Sequence, residues 1–397
     1  MSIADTTTSA PRPVWLALDK LGVLIALIAA AGAALPFTLF GANRIVLGEP
    51  RSLLDALPSF PSGFLIGVLL VGFVVALLRF PVLAKLITGF LVLGVLFVFV
   101  GWSASYLTPE GDTFARVSPG AGFWLLVFAF ALLVTDALTR LRLAPLTRIA
   151  ILLAVVAAIA GLLWSGNWND LSILKEYGTR APAFWSEART HLALAFGSVA
   201  IAMVAGVPVG ILCYKVKPVR AAVLNVLNIV QTIPSIALFG LLIAPLAWVA
   251  ANVPGASAIG ISGIGVAPAM VALFAYSLLP IVSNTVVGLL SVSPAAVDAA
   301  KGMGMTGTQR LLGVELPLAF PVILTGIRIV LVQNIGLATI AALIGGGGFG
   351  VFVFQGIGQT AMDLVLLGAV PTVALAFAAA VVLDALVEMT SRGGRRS

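Results

Sequence analysis

Residues 293 to 321 read SPAAVDAAKGMGMTGTQRLLGVELPLAFP, a hydrophilic insertion between two segments apolar enough to cross a bilayer. Ser293-Pro294 is a helix start: a hydroxyl cap, then proline where no N–H is needed. Val292 and Val297 stand at the staple positions on either side of that cap. Ala295, Ala296, Ala299 and Ala300 favour the helix, and Gly302 and Gly304 end it. A second start follows at once, because Thr306 with Gln309 three residues on makes a capping box. Leu311, Leu312 and Val314 give the second helix an apolar side, and Pro317 is expected to close it. Two short helices joined by glycines predict a compact knob on a membrane surface. Its face of small side chains suits close backbone approach by a partner.

Composition sets the class around this stretch. The chain of 397 residues is 61% hydrophobic and 9% charged, with a mean hydropathy of +1.16. Soluble domains average about 25% charged residues, so this is a polytopic membrane protein. Its net charge of +7 is not a nucleic-acid footprint, because the basic residues lie in short loops between apolar segments. One cysteine, Cys213, excludes an internal disulfide and any cysteine metal cluster. The single histidine, His191, opens an apolar segment and reads as an interfacial residue rather than a ligand. No metal site, catalytic constellation or cofactor is expected in the chain.

Residues 1–18 are rich in Ser, Thr and Pro and predict a disordered cytoplasmic tail. No cleavable signal peptide is evident in the first apolar run. Ten candidate spans follow: 21–41, 63–78, 86–105, 121–138, 149–166, 191–213, 222–249, 263–290, 321–344 and 364–387. A span needs about 20 residues for a hydrocarbon core of roughly 30 Å. With the N-terminus inside, 15 of the 22 basic residues fall in inner segments and six in outer loops, with Arg328 inside a span. That bias supports two cytoplasmic termini and places Asp298 on the side where ATP is available. The polar stretch 167–190 reads as a periplasmic linker with an amphipathic, interfacial lead-in. It divides a membrane domain of about five helices at 1–166, of unassigned role, from a second part at 191–397.

Asp298-Ala299-Ala300, then Gly304, then Val314-Glu315-Leu316-Pro317 resembles the "EAA" loop of permease subunits in binding-protein-dependent ABC importers. The spacing matches throughout, with Asp298 for the usual Glu and Val314 for the usual Ile. The run QTIPSIALFG from Gln231, and IGGGGFGVFVFQGI from Ile344, resemble the branch that carries osmoprotectants such as glycine betaine and choline. The resemblance covers roughly 190–390. It implies an all-α, MetI-like (type I) permease core in a bacterial inner membrane, with 293–321 as the cytoplasmic coupling loop. Asp298, Ala299, Ala300, Gly304, Leu316 and Pro317 would then dock the ATPase. The implied partners are cytoplasmic ATPase subunits, a periplasmic solute-binding protein, a second permease subunit and membrane lipid. An amino acid such as methionine is the alternative solute, since related permeases share the loop.

The chain has no G-x-x-x-x-G-K-[ST] phosphate loop, so ATP hydrolysis is expected on a separate subunit. Gln231, Thr232, Pro234 and Ser235 stand mid-span, where proline removes a helical bond and frees the carbonyl of Val230. This is either a kink in a translocation path or a helix contact glued by polar groups. Tyr276 and Phe274 are the few aromatics there able to meet a quaternary amine. The six glycines between Gly345 and Gly356 disfavour a continuous helix and predict an outer loop with a re-entrant turn. Arg328 can pair with Asp384, and Asp136 with Arg140. A secondary transporter would need inverted repeats and a chain of intramembrane acids, and neither is evident. A scaffold without transport would not need the 293–321 loop.

Overall fold

In the computed structural model the described residues are 18–44, 46 and 48–393. The expected N-terminal tail therefore lies outside them, Leu18 excepted. Among the described residues nine helices are long and apolar enough to cross a membrane, and one shorter apolar helix precedes them. The residues group into two units: 155–175 with those up to 144, and 145–154 with 176 onward.

The first unit holds α1 (Lys20–Ala34), α2 (Ser59–Leu77), α3 (Val82–Leu107), α4 (Ala121–Leu141) and the C-terminal half of α5 (Pro145–Trp164). The expected span 21–41 stops early. Helix α1 has 15 residues and ends at Leu35, which is extended and precedes Pro36, as the residue before proline tends to be. The chain then enters a three-stranded antiparallel sheet absent from the all-helical expectation. Its central strand β1 (Thr38–Gly41) lies between β2 (Glu49–Arg51) and β3 (Arg116–Pro119). Phe37, Leu65, Val92, Leu96, Leu126 and Phe130 are fully buried and form the core of this unit. Gly72 and Gly89 let the helices approach, since a Cβ there would sit 2.7 Å from Phe130 and Val134 side chains. Charges are closed off at one end. Lys85 Nζ donates to Asp19 Oδ2 at 2.8 Å, and Arg140 pairs with Asp136 at 2.9 Å, as predicted, and with Asp19 at 3.5 Å.

The second unit begins with the N-terminal half of α5, not at 191. The expected linker 167–190 is largely helix, for α6 runs unbroken from Ser172 to Lys215, 44 residues or about 66 Å. Polar residues such as Lys175 and Glu176 made it look like a loop, but they are good helix formers and Asp170 precedes them. After α6 come α7 (Lys217–Thr232), α8 (Ser235–Leu241), α9 (Ile243–Asn252), α10 (Val266–Leu290), α11 (Pro294–Gly302), α12 (Gly307–Arg310), α13 (Leu316–Leu337), α14 (Gly350–Gly358) and α15 (Met362–Gly393). Helices α6, α10, α13 and α15 supply the main core, around Ala202, Ile281, Leu324, Val330 and Ile335. Asn334 ties it inside, donating to Ser198 Oγ and Ser277 Oγ at 2.8 Å each. Arg148 of α5 donates to Asp384 at 2.6 Å and pairs with Glu388, while Arg328 pairs with Asp384 as predicted.

Candidate functional site: the coupling loop and the broken helix

The loop between α10 and α13 is built from its caps. The Ser293 side chain accepts from Ala296 N at 3.3 Å and Pro294 opens α11. At the other end Met305 N bonds Ala300 O at 3.1 Å and Gly304 N bonds Lys301 O at 2.9 Å. Those two bonds are a Schellman motif with Gly304 at its left-handed position, φ 77°. Thr306 and Gln309 make the capping box, with Gln309 Oε1 accepting from Thr306 N at 2.8 Å. Asp298, Ala299, Gly304 and Pro317 are exposed, Leu316 is half-buried, and Ala300 faces inward. Among the described residues Asp298 meets only Lys301, at 3.0 Å on the surface, a pair worth about 0–1 kcal/mol. Its carboxylate therefore stands on the open face of α11. Met303 and Leu312 are 70% and 61% exposed on the same loop; sequence reasoning did not single them out as contacts, though apolar side chains between two caps are a usable signal.

Pro317 does not close the second helix. Helix α12 passes through one π turn, Leu311–Glu315, straight into α13. Proline in an α-helix leaves the carbonyl four residues back without its donor. Here the bonding widens first, with Leu316 N reaching Leu311 O, and Pro317 falls in the first turn of α13, where its missing N–H costs little. Glu315, also unlisted among the expected docking residues, is 2% exposed at this joint. It receives Arg310 Nε at 2.6 Å and lies near the Tyr214 hydroxyl of α6. The loop, α13 and α6 thus meet at one buried carboxylate.

The expected span 222–249 is broken rather than kinked. Helix α7 ends at Thr232, Ile233 and Pro234 are extended, and α8 starts at Ser235. The carbonyl of Val230 is not freed, because Ile233 N donates to it at 3.3 Å. Gln231 and Tyr276 instead repair each other's helices. Pro280 removes the amide that would bond Tyr276 O, and Gln231 Nε2 takes its place at 2.9 Å. The Tyr276 hydroxyl donates in turn to the Ile233 carbonyl at the break. Tyr276 is buried, so its ring is not open to a solute. Thr232 is exposed, Pro234 likewise, and Ser235 is half-buried.

The glycine run behaves as predicted in one respect: it is not a continuous helix. Gly345, Gly347 and Gly348 have φ of 74°, 74° and 85°, conformations that glycine adopts without steric cost. Two side chains of α6 hold the turn. Glu187 accepts from Gly348 N at 2.6 Å, and His191 Nδ1 accepts from Phe349 N at 3.4 Å. His191 is fully buried against the Phe349 ring, not interfacial as its position at the head of an apolar run suggested.

The second unit thus joins an all-helical core to a double-capped loop and a broken helix. Residues 203–395 match the family model described as "Binding-protein-dependent transport system inner membrane component", and the chain belongs to that family of multi-pass inner-membrane permeases. Residues 19–174 match a second model, "ABC transporter permease YehY, N-terminal domain". Among curated relatives, the osmoprotectant import permease protein OsmW of Salmonella typhimurium is 45% identical over 197 residues, 50% of this chain and 85% of that protein. The glycine betaine/carnitine/choline transport system permease protein OpuCB of Bacillus subtilis is 37% identical over 202 residues, 51% of this chain and 84% of that protein. The methionine ABC transporter MetNI, in an inward-facing crystal form, aligns at TM-score 0.46 and 24% identity over 53% of this chain and 95% of its own, a likeness too slight to bear on substrate.

Proposed function

We propose that the chain is the membrane-spanning subunit of an ATP-driven importer for an osmoprotectant such as glycine betaine, carnitine or choline. A solute-binding protein delivers the solute at the outer face. Separate ATPase subunits dock at 294–317 on the cytoplasmic side, where both termini lie. A second permease subunit, another copy or a related shorter permease, supplies the other half of the pathway. The relatives' transport of these solutes supports the substrate class. The observation that carries the mechanism is the exposed knob of α11 and α12, rigid by its own caps and joined through Glu315 to α6 and α13. A push on such a knob moves the helices rather than bending the loop.

Gly304→Asp tests it. A Cβ at position 304 would meet nothing within 4 Å, but the left-handed φ disfavours it. A charge buried unpaired at a docking face costs at least about 3 kcal/mol, so ATPase affinity should fall about a hundredfold. The variant should insert normally. Pull-down of the ATPase from solubilised membranes is the measurement, and full retention with normal uptake would remove the coupling assignment.

A further inference from the structure

Helix α7 has 16 residues and is counted neither among the helices long and apolar enough to cross nor as a shorter apolar helix. Much of its polarity lies in one stripe. Lys217, Ala221, Asn225, Asn228 and Thr232 recur every three or four residues and fall on one face of the helix. All five are exposed. The opposite side of α7, with Val219, Val223, Leu224 and Leu227, packs on Cys213, Val282 and Val286. A third side, with Val226 and Ile229 at 59% and 65% exposed, is apolar and suits lipid. Asn225 and Asn228 make no side-chain hydrogen bond among the described residues. The Thr232 hydroxyl donates to Ile229 O at 2.7 Å and keeps its acceptor side free. Amides left open to hydrocarbon cost several kcal/mol each. The stripe therefore faces water or a polar solute, and it runs directly into the break at Ile233-Pro234.

We propose that Asn225 and Asn228 line the solute pathway, one helical turn apart, with Thr232 above and Lys217 at the mouth. This rests on the importer reading above and moves the lining away from Gln231 and Tyr276, which are occupied in mending helices. It also fixes the charge class of the solute. The sequence holds no Asp or Glu between Glu187 and Asp298, so neither α7 nor the helices flanking it at this depth offer an acid to a passing cation. Neutral amides, a hydroxyl and one lysine suit a net-neutral zwitterion, whose carboxylate and weakly hydrated cationic end both pass without being trapped. Glycine betaine or carnitine fits; a bare cation such as choline passes less well.

The test uses the full transporter in membrane vesicles, with single cysteines at 225, 228, 226 and 229 and the buried Cys213 retained. A water-soluble trimethylammonium thiosulfonate should modify Asn225→Cys and Asn228→Cys at least about tenfold faster than Val226→Cys and Ile229→Cys. Modification should block uptake, and glycine betaine should slow it. Absence of modification at 225 and 228, or a disulfide between two copies at either position, would make the stripe a subunit contact and overturn the proposal. So would modification that leaves uptake unchanged. Asn228→Asp, nearly the same size, gives a second readout: the ratio of choline to glycine betaine uptake should rise at least about fivefold, and an unchanged ratio defeats the charge argument. Wild-type uptake of betaine, carnitine and choline is measured alongside. If none is imported while the labelling pattern holds, the substrate reading fails and the lining stands.

Discussion

The first unit keeps proline out of the body of its helices, and the second carries it inside four long ones and breaks a fifth segment outright. None of α1 to α4 carries a proline beyond the first turn, and Asp19, Lys85, Arg140 and Asp136 close a charge cluster among themselves. In the second unit α6, α10, α13 and α15 each contain an internal proline, and the chain is broken at Ile233-Pro234 between α7 and α8. There, carbonyls left by Pro280 and by the break at Ile233 are taken up by a neighbouring helix, through Gln231 and Tyr276. Irregular backbone at membrane depth persists only beside protein or water. The contrast separates a unit whose charges pair at one end from a unit whose helices are mended along their length.

Lys85→Ala should give the largest effect on stability. It strips the main partner from Asp19, itself 9% exposed, with Arg140 too distant to replace it fully. Loss of one partner from a buried pair costs about 3 kcal/mol or more. Thermal unfolding of the purified protein should show the first unit melting earlier, while ATPase binding persists. Equal loss of both would mean the two halves do not differ in this way.

Glu315→Gln should come next. It keeps the shape of the π joint but removes the ion pair with Arg310, a loss of about 2 kcal/mol for a hydrogen bond to a charged group. ATPase co-purification should stay intact while uptake falls about tenfold and basal ATP hydrolysis loses its response to solute. Normal uptake would show that the joint only holds the loop in place. A smaller change is expected from Pro234→Ala, which restores one helical donor at the break, worth about 1 kcal/mol. Uptake should fall severalfold with assembly unchanged, and unaltered uptake would assign the break to packing.

The smallest effect belongs to the first unit's loop. Asp112 is half-buried, and the amides of Ala115 and Phe114, at 3.0 and 2.7 Å, hold its carboxyl below the ordinary 3.8. A depressed carboxylate stabilises the loop above that ordinary value, and the contribution is lost as pH falls through the lower folded value. Asp112→Asn should lower the protection of the Phe114 and Ala115 amides at pH 7, measured against their intrinsic exchange, and remove the loss of protection seen as pH falls below about 4. Exchange insensitive to both changes would show that the turn needs no charge.

What could be read from residues was local. Ser293, Thr306, Gln309 and Gly304 act within four residues of themselves, so their caps and the left-handed turn were legible, as was each apolar helix. What escaped depended on distant partners. Strand β1 pairs Thr38 with Pro119, and its apolar TLF continues the pattern of α1 as if the helix went on. The unbroken α6 hid because polar composition at 167–190 imitates a linker. Pro317 looked like a stop because nothing in the local pattern announces a π turn. The α7 stripe was in the sequence all along, but its period became informative only once the structure showed which faces of that helix are covered.

Helix α1, with its 15 residues, is about 22 Å long at 1.5 Å per residue. Leu24 and Leu27 are 50% and 63% exposed on its outer side, so it borders lipid along a stretch shorter than a hydrocarbon layer of about 30 Å. The adjoining bilayer must thin there, or the helix must stand more upright than its neighbours, at a fraction of a kcal/mol per Å of mismatch. The acyl-chain length of the host membrane thereby becomes a variable acting on the first unit, strongest where chains are long and stiff. The first unit thus carries, in this short helix, a part whose energy depends on how tightly the surrounding membrane is packed.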